Sequence, residues 1–251
     1  MTQIISVHSF RGGTGKSNTT ANLATLLAME GKRVGIVDTD IQSPGIHVLF
    51  NLDESEMVHS LNDYLWGKCE IQEAAKDVTD KVGVDIKGKI FLIPASMKAG
   101  EIARVLREGY DVGLLNDGFR SVNKSLNLDF LMIDTHPGLN EETLLSVAIS
   151  SALVVIMRPD NQDYLGTAVT IDVARKLDVP KILLVVNKIP QTYDLDDVRE
   201  KVEKLYDCPV AALLPHDDDM MALASSGIFS VKYPDHPVAL GLKDVVKLIL
   251  S

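Results

Sequence analysis

The stretch Phe10-Arg11-Gly12-Gly13-Thr14-Gly15-Lys16-Ser17 decides how the rest of this chain is read. A short apolar run, Ile4-Ile5-Ser6-Val7, precedes it and reads as a buried strand. A run from Ser17 to Met29 follows, with Ala21, Leu23, Ala24, Leu27 and Ala28 near helical spacing. Strand, glycine loop, Gly-Lys-Ser and helix, in that order, are the context a phosphate-binding loop requires. The glycines let backbone N–H groups crowd an anion with no Cβ in the way. The helix that starts there adds its positive end. Gly12, Gly13, Thr14, Gly15, Lys16, Ser17 and Asn18 therefore form the candidate nucleotide-binding set. Lys16 would bridge the β- and γ-phosphates, and the Ser17 hydroxyl would ligate Mg²⁺.

Outward from the loop, Val34-Gly35-Ile36-Val37 reads as a second buried strand, ending in Asp38-Thr39-Asp40. Residues 46–80 read as short helical pieces. Val82–Ile86, the turn Lys87-Gly88-Lys89 and Ile90–Pro94 read as a hairpin whose second arm is apolar enough for the core. Two helices fit within 99–126. The run Phe130–Ile133 then leads as a strand into Asp134, and 141–150 is helical. Further strands are expected at 153–157, 182–186 and 210–214. Helices are expected at 164–177, with Val169, Val173 and Leu177 as one stripe, and at 195–206, 217–226 and 238–250. Strands that alternate with helices and run continuously apolar are the mark of a parallel sheet covered on both faces. The expected fold is α/β, a doubly wound, mainly parallel β-sheet flanked by helices on both faces, forming a single domain over 1–251.

Hydrophobic residues make up 46% of the 251, enough for a sizeable core, and with only 5% aromatics that core must be aliphatic. A net charge of −10 argues against a surface wholly dedicated to nucleic acid. The two cysteines, Cys69 and Cys208, form no CxxC, so a disulfide framework, zinc site or Fe–S site is not expected and a reducing cytoplasm is. No signal peptide is visible, and no apolar run of about eighteen residues that would span a membrane.

In an open α/β sheet the carboxyl ends of the strands carry the ligand site. Asp38 and Asp40 stand at one such end and Asp134 at another. Carboxylates beside a phosphate repel it unless Mg²⁺ or a positioned water lies between, and Asp134 fits the acid that holds Mg²⁺. The sequence Asp134-Thr135-His136-Pro137-Gly138 gives a loop able to change shape with a γ-phosphate. Asn187-Lys188-Ile189-Pro190 lacks the Asp of the guanine-reading Asn-Lys-x-Asp, which favours ATP over GTP.

Arg11-Gly12-Gly13-Thr14-Gly15-Lys16-Ser17 resembles the deviant phosphate loop of the MinD/ParA ATPases, Lys-Gly-Gly-x-Gly-Lys-Ser/Thr, with Arg11 in place of the signature lysine. The two aspartate segments are similar to that family's switch regions, with His136 where proline is usual. The resemblance implies an ATP-dependent homodimer, slow hydrolysis stimulated by a partner protein, and a role as a spatial switch that positions DNA, a protein complex or a microcompartment such as a carboxysome. It further implies that Asp40 orients the attacking water. Asp38 would hold Mg²⁺ through water, Asn187 would read adenine, and Pro215 would pack a loop on the base. Arg11 is read either as a trans-acting finger or as a surface residue, and His136 either as a plain loop histidine or as a protonation switch. Family members bind DNA through surface cations, for which Arg104 with Arg107 and Arg120 with Lys124 are the candidates here. MinD-like members end in a membrane-targeting helix, whereas Asp244–Leu250 reads as a packed helix. Metabolic enzymes and metal carriers of the same fold, and a non-hydrolysing ATP-binding regulator, are the alternatives.

Overall fold

The computed structural model describes residues 2–251. The strands are β1 (Gln3–His8), β2 (Arg33–Asp38), β3 (Lys76–Asp77), β4 (Lys89–Ile93), β5 (Phe130–Asp134), β6 (Ala152–Met157), β7 (Ile182–Ile189) and β8 (Val210–Pro215). They form one sheet in the order β3-β4-β2-β5-β1-β6-β7-β8. Every pairing is parallel except β3 with β4. The helices are α1 (Lys16–Met29), α2 (Ile46–Leu49), α3 (Leu61–Leu65), α4 (Ile71–Ala74), α5 (Ala99–Glu108), α6 (Gly113–Ser125), α7 (Glu141–Ala148), α8 (Asn161–Lys176), α9 (Leu195–Tyr206), α10 (Asp218–Leu223), α11 (Phe229–Lys232) and α12 (Pro237–Leu250).

The strands read as unbroken apolar runs because both faces of the sheet are covered. On one face Ile5, Val7, Ile36, Met132 and Val154 pack with Leu23 and Leu27 of α1 and Val238, Leu242 and Val245 of α12. On the other, Val37, Leu131 and Ile133 meet Leu115, Phe119 and Val122 of α6, while Val155 and Leu184 meet Ile171 of α8 and Val202 of α9. The final helix α12 is thus a packed core element, as its sequence suggested. No helix among the described residues is long and apolar enough to cross a membrane.

The expected hairpin is corrected. Val82–Ile86 is not a strand: a 3₁₀ turn over Thr79–Val82 ends at Gly83 with φ 83°, and Val84 is exposed. The strand antiparallel to β4 is β3, which pairs Lys76 with Leu92 and Asp77 with Phe91. The segment before β4 is instead pinned to the α1–β2 turn by Gly88 N–H to Ala28 O and Lys89 N–H to Lys32 O.

The stripe expected on α8 is also corrected. Val169 is exposed, and the inward face is Gly166, Thr167, Thr170, Ile171 and Ala174. Small residues serve there because a neighbour comes close: a Cβ at Gly166 would overlap the ring of Phe10. Gly166→Ala is expected to destabilise the protein by about 1–3 kcal/mol through this overlap. A urea unfolding midpoint equal to that of the wild type would contradict it.

Candidate nucleotide site at the carboxyl edge of the sheet

β1 ends at His8, and the chain turns through residues 9–15 into α1. Gly13 and Gly15 take φ values of 74° and 103°, left-handed backbone open mainly to glycine. Gly15 is also the N-cap of α1, and a Cβ there would strike the Asn187 side chain. The first turn of α1 carries no acid and no side-chain cap, so its N–H groups keep their affinity for an anion. Lys16 is only 6% exposed, yet makes no ion pair among the described residues.

Asn187 and Lys188 close the other side. β7 carries one extra residue against β8 between Val186 and Ile189, a bulge that re-aims side chains. Asn187 Nδ2 donates to Thr14 O at 2.8 Å and Lys188 Nζ to Gly13 O at 2.9 Å. Two adjoining hollows result. One of ≈410 Å³ is lined by Asn187, Leu214, Pro215, Asp217, Met220 and Met221 among others. Another of ≈280 Å³ is lined by Gly12, Gly13, Lys16, Ser17, Asp40 and His136 among others. Gly15 and Asn18 border both, so the hollows form one trough with a roomy, largely apolar end and a polar end.

Three carboxylates gather at the polar end. The register pairs Asp38 of β2 with Asp134 of β5, and Asp40 follows in the loop. Burial, with Asp134 and Asp40 nearby, pushes the Asp38 carboxyl well above its usual range. Its oxygens accept the N–H groups of Asp40 and Gly45, at 3.1 and 3.3 Å, and so shape the first loop. Burial lifts Asp134 to about 6, against the pull of Ser17 and Lys16. Asp134 Oδ1 accepts from Thr20 at 3.2 Å, while buried Oδ2 has no partner. A divalent cation fits this set: Ser17 lies close enough to pull the Asp134 carboxyl down, one carboxylate oxygen has no partner, and adjacent acids repel one another without a counter-charge. Thr14 Oγ1 and His8 Nε2 are likewise buried without partners. Thr135 Oγ1 gives its proton to Val7 O and therefore accepts from His8 Nδ1 at 2.8 Å. His8 Nε2 is left as a bare acceptor, and burial, with Lys16 close by, drives that ring down to about 3.

Arg11 lies outside the trough. Its guanidinium is held by Asp160 at 2.7 Å, by Asp163 and by Gln162, all in the first turn of α8 or at its cap. Arg158 joins the same two acids. Asp160 also caps α8, accepting from Gln162 and Asp163 N–H. Of the basic pairs, Arg104 and Arg107 are both occupied by Glu108, and Arg104 also stacks on Trp66. Arg120 and Lys124 are exposed. A second acidic group, Asp217, Asp219 and His236, converges beside the apolar end. His236 Nδ1 accepts from Val238 N–H, so Nε2 carries the proton it gives to Asp217 and offers no lone pair to a metal.

The sequence profile of the ParA family, described as NUBPL iron-transfer P-loop NTPase, matches residues 1–250. This chain belongs to the ParA family of P-loop NTPases. An ATP-binding protein of Methanocaldococcus jannaschii is 26% identical over 248 residues, covering 98% of this chain and 87% of the relative. An iron-sulfur cluster carrier of Pseudomonas fragi is 27% identical, covering 94% and 81%. The structure of the septum site-determining protein MinD of Pyrococcus horikoshii with Mg-ADP superposes with a TM-score of 0.79 at 20% identity, covering 99% of this chain and 96% of that one. The doubly wound, mainly parallel sheet flanked by helices that the sequence led us to expect is therefore the fold of these relatives.

Within this ParA-family chain, three features of the site were not foreseen. Lys188 reaches back to the loop carbonyl of Gly13. His8 presents a bare nitrogen. His136 Nδ1 meets Asp40 Oδ1 at 2.7 Å, so it is more than a loop histidine. The last of these follows from strand adjacency: β2 and β5 are neighbours with Asp38 opposite Asp134, and Asp40 and His136 each lie two residues further on.

Proposed function

We propose that residues 1–251 form a single Mg²⁺-dependent ATPase domain that closes with ATP into a face-to-face homodimer and serves as a cytoplasmic spatial switch. The observation that carries this reading is the polar end of the trough. It gathers the loop glycines, Lys16 and Ser17 beside buried polar atoms of Thr14 and Asp134 that have no protein partner. The triphosphate would lie over Gly12–Ser17. Lys16 would meet the β- and γ-phosphates, and Ser17 and Asp134 the cation, with Asp38 holding the loop beside it. Asp40 would orient the attacking water, and the base would enter the apolar end between Asn187 and Pro215. Catalysis by positioning and charge neutralisation is what phosphoryl transfer asks of a protein. ATP binding and turnover by the purified protein, with and without Mg²⁺ and with GTP as control, test this. Equal use of GTP, or turnover without Mg²⁺, would contradict it.

Arg11 is proposed as the group presented to the partner's nucleotide on closure, after release from Asp160 and Asp163. Removing an arginine finger costs roughly 10³–10⁵-fold in turnover where one acts. Arg11→Ala is expected to lose at least about tenfold in turnover while the open chain keeps its ATP affinity. Unchanged turnover would leave Arg11 with its contacts to α8 alone. The activating partner would be a protein, and DNA would be met through Arg120 and Lys124, the basic pair without acidic partners among the described residues. The cargo would be DNA, a protein complex or a microcompartment.

Iron-sulfur carriers in the family supply the competing reading. Neither Cys69 nor Cys208 lines the trough, and Cys208 is buried at the opposite end of the sheet, against Ile182 O at the start of β7. Iron bound stoichiometrically after anaerobic reconstitution would favour that reading.

A further inference from the structure

A carboxylate that orients water must keep one oxygen toward it and hold the plane of its group fixed. The terminal torsion of an aspartate is broad, so something else has to fix it. At Asp40 that element is His136. Its Nδ1 lies 2.7 Å from Asp40 Oδ1, and both side chains face the polar end of the trough with Lys16 and Ser17. The two are largely buried, at 22% and 12% side-chain exposure. The ionised carboxylate can only accept, so Nδ1 donates. The neutral ring protonated on Nδ1 and the fully protonated ring both do so, and the contact does not require a change of charge. Behind it, the His136 carbonyl accepts from Thr143 Oγ1 at 3.2 Å, and Thr143 N–H is held by Asn140 at the cap of α7. The His136 backbone is thus braced on α7, and its imidazole reaches from the second loop to the first.

We propose that His136 is a positioning residue for Asp40: it fixes one carboxylate oxygen so that the other faces the attacking water, and it ties the two switch loops so that they move together. This rests on the reading of Asp40 as the water-orienting group, so the test includes variants of both. Steady-state kcat and KM for ATP are measured for wild type, His136→Ala, His136→Asn, Asp40→Ala and the Asp40→Ala/His136→Ala double variant. Loss of an outer-shell orienting partner typically costs roughly 10–100-fold, and His136→Ala is expected to lose that in kcat with KM nearly unchanged. Asparagine carries an N–H donor where the ring has Nδ1, and His136→Asn should recover most of the loss. The double variant should be no slower than Asp40→Ala, because the imidazole acts through that carboxylate. Wild-type turnover in His136→Ala with Asp40→Ala inactive would overturn the proposal, as would a His136→Asn variant no faster than His136→Ala. Normal turnover in Asp40→Ala would instead overturn the assignment of Asp40 beneath it. If His136→Ala does not fold, His136→Asn against Asp40→Ala decides between near-wild-type rescue and an equal loss.

Discussion

Lys16→Ala is expected to weaken ATP binding by at least about two orders of magnitude. Lys16 is nearly buried, stands at the head of α1 with the loop glycines, and makes no ion pair among the described residues. Its ammonium, drawn toward Asp134 but in no ion pair with it, is held ready for phosphate. Truncating one partner of a desolvated charge pair costs roughly 2–5 kcal/mol, and ~3 kcal/mol is about a hundredfold in affinity. The same variant removes a desolvated charge but also the cation that offsets Asp134, so thermal stability without nucleotide should change little. Calorimetric titration with Mg-ATP, read beside a melting curve, separates the two effects. Wild-type affinity would sink the loop assignment, and a large loss of stability without nucleotide would mean that Lys16 is structural.

Asp40→Ala is the second large effect, and its signature is a split. ATP binding should persist within about threefold, because the loop, Lys16 and Ser17 are untouched. It should not weaken through the cation site, since the Asp40 charge is one of those that push Asp38 and Asp134 upward. Turnover should fall by roughly 10²–10⁴-fold, the usual contribution of a positioned acid–base group. Preserved turnover would move the water-orienting role to another side chain.

Much of this was legible in the chain because it is local. The loop is a contiguous pattern whose two positive-φ glycines and acid-free helix start follow from its residues. The buried strands announce themselves as apolar runs, and the acids that end them fall at the carboxyl edge whatever the strand order. What failed was what depends on partners far away in sequence. Val82–Ile86 has the composition of a strand, but the edge of β4 it would have used is taken by Lys76 and Asp77. Val169 and Val173 have helical spacing, but α8 packs inward through Ile171 and Ala174 against β6, β7 and α9, and through Gly166, whose missing side chain admits the ring of Phe10 from 156 positions earlier. Arg11 could be placed at the loop but not aimed: its contacts with Asp160 and Asp163 span |i−j| of 149 and 152. The His136–Asp40 contact, 96 residues apart, needed the β2–β5 register before it could be read.

The proposed closure of two copies of this chain by ATP is read from the solution mass of wild type and Asp40→Ala with Mg-ATP, with Mg-ADP and without nucleotide. A dimer is expected only with Mg-ATP, accumulating most in Asp40→Ala because hydrolysis no longer reopens it. A monomer under every condition, in a protein shown to bind ATP, would contradict it.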